Sequence, residues 1–191
     1  MTDLHEPGIS RRPRRKFSLL KRLRKDRSGV TAVEFAFVAG PFFALLFAIM
    51  EVGLVFFGTL TLENAAEESA RLIRTGQAHD VSMGETGFKT EVCSRIFVLF
   101  DCQNGLKVEV KTFPDFADLA ANGFGDPLTG DGDLRDDFSF DIGQGGQIML
   151  VRVFYEWNLM VSFPGVGLSN MSNGNRLVSA VTSFRNEPFD S

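Results

Sequence analysis

Arg27-Ser28-Gly29-Val30-Thr31-Ala32-Val33-Glu34-Phe35 opens a long apolar stretch that runs to Leu62. Nothing from Phe35 to Met50 is charged, and nothing from Val52 to Leu62; Glu51 is the one interruption. Crossing a bilayer as a helix takes about 20 predominantly apolar residues. The stretch supplies them, so residues 30–62 are expected to form a membrane-spanning helix. A carboxylate at membrane depth costs at least ~2.5–3.5 kcal/mol. Glu34, five residues past Gly29, therefore needs a reason to be there.

Charge is divided around this helix. Residues 1–29 hold ten Lys/Arg against three Asp/Glu, and the remainder holds ten against twenty-one, which together give the net −4 of the 191-residue chain. A basic leader before an apolar helix predicts a cytoplasmic N-terminus. Residues 63–191 then lie outside the membrane. Arg14 to Lys21 resembles a twin-arginine signal, but charges persist through Arg27, and the apolar run exceeds the ~7–15 residues of a cleaved signal core. The leader can touch anionic lipid. It lacks the aromatic interleaving of a nucleic-acid arm, so no nucleic-acid partner is expected.

Beyond the membrane the helical period continues. Leu62, Ala65, Ala66, Ser69, Ala70, Leu72 and Ile73 share a small-apolar face, and Gly76 is the expected stop, giving one helix of about 45 residues. A second helix is expected over 88–99, from Phe88, Val92, Ile96 and Leu99. Leu106 to Lys111 alternates as a half-buried strand. A long strand places Val151, Val153, Tyr155, Trp157, Leu159 and Val161 on one face. Arg152, Glu156, Asn158 and Ser162 lie on the other, with Phe154 and Met160 among them. Residues 114–146 read as loop, Pro164 to Asn175 as a Gly/Ser/Asn-rich connection, and 176–185 as a last strand. The fold class is α+β: a long N-terminal membrane helix continuing into an extracytoplasmic domain with a small antiparallel sheet.

Cys93 and Cys102 both fall in the outer part, where a disulfide can persist. Two thiols at short separation favour a bridge over two unpaired buried cysteines. Ala32, Ala36, Gly40, Ala44 and Ala48 recur every four residues, as a stripe on which another helix backbone can approach closely. Gly40-Pro41 can kink the helix. Glu51 is expected near the outer membrane surface, the alternative being a second paired carboxylate. The six aspartates from Asp126 to Asp141 suit a solvated loop better than a calcium site, since their spacing is not that of an EF-hand. His5 and His79 are the only histidines. No nucleophile motif, phosphate loop or zinc spacing accompanies them, so no enzyme, catalytic residue, metal or cofactor is expected. His79 is expected to be exposed.

Gly29-Val30-Thr31-Ala32-Val33-Glu34-Phe35 is similar to the type IV prepilin processing motif, with Gly before the cut, Glu at the fifth mature position and an aromatic at the sixth. Val30 departs from the Phe or Met common at the first position of major pilins. Taken with Arg27-Ser28-Gly29, Glu63-Asn64-Ala65-Ala66 to Ala70-Arg71, and Arg185-Asn186-Glu187-Pro188-Phe189, the chain resembles the TadE-like pseudopilins of tight-adherence (Flp) pilus systems. That resemblance implies a pilin-like fold and cleavage between Gly29 and Val30 by a prepilin peptidase. It implies other pilins or pseudopilins and pilus assembly proteins as partners, and residence in a bacterial inner membrane, with a periplasmic domain, or in the pilus. A cut there leaves an amine on Val30, which Glu34 and Phe35 follow; the carboxylate can meet it within the chain or on a neighbour. The competing reading is an uncleaved signal-anchor envelope protein with a partner-binding periplasmic domain. An envelope hydrolase comes a distant third.

Overall fold

The computed structural model describes residues 29–96, 101–160 and 167–189. The basic leader 1–28, the end of the expected second helix, the strand positions Val161 and Ser162, and Pro164 at the head of the expected connection lie outside them. The chain divides into two units, residues 1–45 and 46–191. In the first, all the described residues after Gly29 belong to a helix. The second is an α+β domain.

Helix α1 is Val30–Arg74, 45 residues, and carries Pro41 within it. Its portion in the first unit is mostly exposed among the described residues: Val33, Phe35, Phe37, Val38 and Phe42 all face outward. Its portion in the second unit buries a stripe of Glu51, Val55, Gly58, Leu62, Ala65, Ala66, Ser69, Ala70 and Ile73. Steps of three and four keep these residues on one face. The expected Leu62-to-Ile73 face is therefore present, with Leu72 at its margin. The helix ends at Arg74, two residues before Gly76, whose φ of +80° suits glycine alone.

Two short helices follow, α2 (Gln77–Asp80) and α3 (Glu85–Arg95). Helix α3 starts three residues earlier than the apolar spacing predicts and stops at Ile96, which is already extended (ψ 135°). A further turn, α4 (Cys102–Gly105), leads into β1 (Leu106–Phe113). Then come α5 (Phe116–Asn122), β2 (Ile148–Trp157) and β3 (Arg176–Arg185). The strands form one antiparallel sheet in the order β1-β2-β3, with Val108 opposite Val153 and Val153 opposite Ala180.

One sheet face carries Leu106, Val108, Val110, Met149, Val151, Val153, Tyr155, Val178 and Ala180. These join Leu62, Ala65, Ala66, Ala70 and Ile73 of α1 and Phe88 and Val92 of α3 in a single core cluster. Fully burying a residue such as Leu62 or Ile73 contributes about 1.5–3 kcal/mol. The alanines between them let the helix lie close to the sheet.

The opposite sheet face is covered too, contrary to the half-solvated strand expected there. Every residue of β2 except Glu156 is buried. The cover comes from residues 114–146, expected to be loop. Asp115 caps α5 by accepting from the Asp118 amide at 2.8 Å, which starts a helix too short to show a period. Leu119 of α5 packs with Phe113, Ile148 and Leu150. Phe138 stacks on Phe154 at 5.0 Å. Ser139 to Asp141 bond to Val110 along the free edge of β1. Strand β2 ends at Trp157, before the alternation expected to continue through Leu159 and Val161.

The helix start, the buried acids and the closing segment

The α-helical span α1 follows directly on Gly29, the first described residue, which is itself in a 3-10 turn. Gly29 is exposed, and a Cβ placed there meets nothing within 4 Å apart from its chain neighbours. Glu34 and Phe35 are exposed one turn further on. In the small-residue stripe, Ala32, Ala36 and Gly40 are exposed, and Ala44 and Ala48 are half-buried. Ala32, Val33, Ala36 and Phe37 line a shallow apolar depression. Gly40 has open space where a side chain would stand. Among the described residues α1 is the one helix long and apolar enough to cross a membrane. Only 17% of its most apolar window is buried, unlike the core helix of a globular domain.

Glu51 is 2% exposed, and its Oε1 accepts from the Met160 amide at 2.7 Å. The expectation of a carboxylate near the membrane's outer surface missed this contact, because its donor is a backbone group far along the chain. A second buried acid, Glu109, accepts from the Nε and Nη2 of Arg152; its other oxygen meets Lys111 Nζ at 2.7 Å. Arg152 also donates to the Gly125 carbonyl at 2.7 Å and lies over the Phe154 ring. This cluster ties β1, β2 and the covering segment together. Arg152 at the outward position of β2 was legible, but its burial was not.

Five acids of the Asp126–Asp141 stretch have close partners. Asp126 accepts from the Leu128 amide, Asp133 from Ser172, and Asp141 from Thr112 and the Gly143 amide. Asp136 pairs with Lys107, and Asp137 with Arg135 at 2.7 Å. The Arg135 hydrogen bond holds the Asp137 carboxyl below the usual carboxylate range, and Asp137 in turn raises Arg135. No three potential metal ligands gather among the described residues.

Cys93 and Cys102 are bonded, with Cα atoms 5.7 Å apart, joining α3 to α4. His79 is half-buried rather than exposed, its ring 5.1 Å from that of Phe189. Phe189 belongs to the closing segment. There the Glu187 amide donates to the Arg74 carbonyl, and Asn186 donates to the carbonyls of Ile142 and Gln144.

The architecture is thus that of a long apolar helix whose second part completes the core of a small α+β domain. The family model described as TadE-like protein matches residues 29–71, from the exposed glycine through most of α1. The match starts at the glycine of the expected processing motif and leaves the sheet outside it. No curated protein and no solved structure matches the chain.

Proposed function

We propose that the chain is a non-enzymatic, single-span pseudopilin or assembly factor of a Tad-type pilus, cut between Gly29 and Val30 by a prepilin peptidase. The observation that carries this reading is where the family match begins. The TadE-like match starts at Gly29, the glycine of the expected processing motif, and runs along α1. Removing residues 1–29 would leave Val30 as the first residue, with all of α1 retained. An exposed glycine suits a peptidase that must reach that bond.

Glu34 then lies four residues from the new amine, on the same helix face. A pair at that spacing within one helix is worth only about 0.2–0.5 kcal/mol on an exposed surface. The amine of a neighbouring chain is the alternative partner. Glu34 would thereby set the axial register between subunits. The stripe from Ala32 to Ala48 offers the small-residue surface on which a second helix can approach. The domain would remain on the periplasmic side and offer protein contacts. The test is Glu34→Ala in cells that build the pilus. Lost crosslinking to pilin-like partners with normal membrane levels supports the reading; unaltered assembly and crosslinking count against it.

A further inference from the structure

Sixteen residues separate Glu34 from Glu51, fewer than the roughly 20 a hydrocarbon core requires. If α1 spans the bilayer, as proposed above, one of these acids lies at hydrocarbon depth. Their surroundings differ. Glu34 is exposed, whereas Glu51 is buried and bonded to the Met160 amide at 2.7 Å. A carboxylate sheltered by its own domain does not face acyl chains, so Glu51 is the acid whose depth the fold tolerates.

The other side of these turns is apolar. Val52, Phe56, Phe57 and Leu60 are 43–65% exposed, and Met160, beside Glu51, is 76% exposed. The first charged residue of the helix beyond Glu51 is Glu63, which is exposed. The hydroxyls between are satisfied within the helix: Thr59 donates to the Val55 carbonyl and Thr61 to the Phe57 carbonyl, each at 2.9 Å. The face therefore offers lipid no unpaired hydroxyl hydrogen. Close helix pairs in membranes use small residues; two adjacent phenylalanines suit acyl chains better.

We propose that the sheet domain does not stand clear of the membrane: its exposed Met160 sits in the outer leaflet at the depth of Glu51, lipid covers the Val52–Leu60 face, and the hydrocarbon boundary falls between Leu60 and Glu63. The domain shields the acid, and the acid fixes how deeply the domain sits.

Spin labels test this in the full chain, with its disulfide formed, reconstituted into phosphatidylethanolamine–phosphatidylglycerol vesicles. Met160→Cys and Phe56→Cys are the test positions. Ile49→Cys, 61% exposed, is the reference within the apolar run and Glu67→Cys the aqueous one. Accessibility to oxygen and to a water-soluble nickel chelate is measured at each. Labels at 160 and 56 are expected to follow position 49, oxygen-accessible and several-fold less open to nickel than position 67. Nickel access at 160 equal to that at 67 overturns the proposal. Protection from both reagents at 160 and 56 also overturns it, because protein then covers the face. Should position 49 itself be open to nickel, the membrane span has failed, and this inference fails with it.

Discussion

The amide of Glu187 donates a 2.8 Å hydrogen bond to the carbonyl of Arg74, the last residue of α1. The final carbonyls of a helix lack intrahelical donors, and the chain's closing segment supplies one. Arg185-Asn186-Glu187-Pro188-Phe189 thus fastens the end of the long helix to the sheet domain. The Phe189 ring lies over Gly76, within 2.8 Å of where a Cβ would stand.

Gly76→Ala meets both that ring and a φ of +80°. It is expected to destabilise the domain by about 1–3 kcal/mol. Asn186→Ala removes the donor from two carbonyls at a buried position and is expected to cost about 1–3 kcal/mol. Glu187→Ala keeps the backbone bond and loses only the half-exposed 3.5 Å ion pair with Arg74, so it should cost no more than about 1 kcal/mol. Thermal melts of the full chain in detergent rank the three.

The Glu109–Arg152 pair is 4–5% exposed. Arg152→Leu leaves Glu109 buried with Lys111 as its close cation, and a loss of roughly 3–5 kcal/mol is expected. The double variant Glu109→Leu/Arg152→Leu should be milder than Arg152→Leu alone, because no buried charge is then stranded. Denaturant midpoints in a double-mutant cycle decide it; a double variant worse than the single contradicts the account.

Reducing the Cys93–Cys102 bond releases a short loop, with a separation of nine residues. Chain-entropy arguments give roughly 2–4 kcal/mol for such a bridge. The oxidised chain should melt at a higher temperature, and Cys93→Ser/Cys102→Ser should match the reduced form.

Glu51→Gln retains an oxygen for the Met160 amide and should fold nearly as well as the parent. Glu51→Ala leaves that amide without its 2.7 Å partner and is expected to cost about 1–3 kcal/mol. Limited proteolysis around Met160 reads the difference: faster cutting in Glu51→Ala alone is the expected pattern.

Much of this architecture is written in local patterns. The uncharged run, the three-and-four spacing from Leu62 to Ile73 and the left-handed Gly76 define α1 without tertiary help. The edges of β3 were legible from the glycine- and asparagine-rich turn before it and Pro188 after it. The second covered face of the sheet was not read, although Ile148, Leu150 and Phe154 at alternate positions carried the signal; a solvated face has little use for three large apolar side chains. The contacts Glu51–Met160, Arg74–Glu187 and Glu109–Arg152 join residues distant in sequence, and no periodicity encodes such pairs. Ahead of α1, residue types suggested a processing motif, and the structure adds that Gly29 is exposed.

The most direct test is the intact mass of the protein extracted from membranes of cells with an active prepilin peptidase. The account predicts a chain beginning at Val30. A chain that keeps its arginine-rich leader in those cells contradicts it and favours an uncleaved anchor.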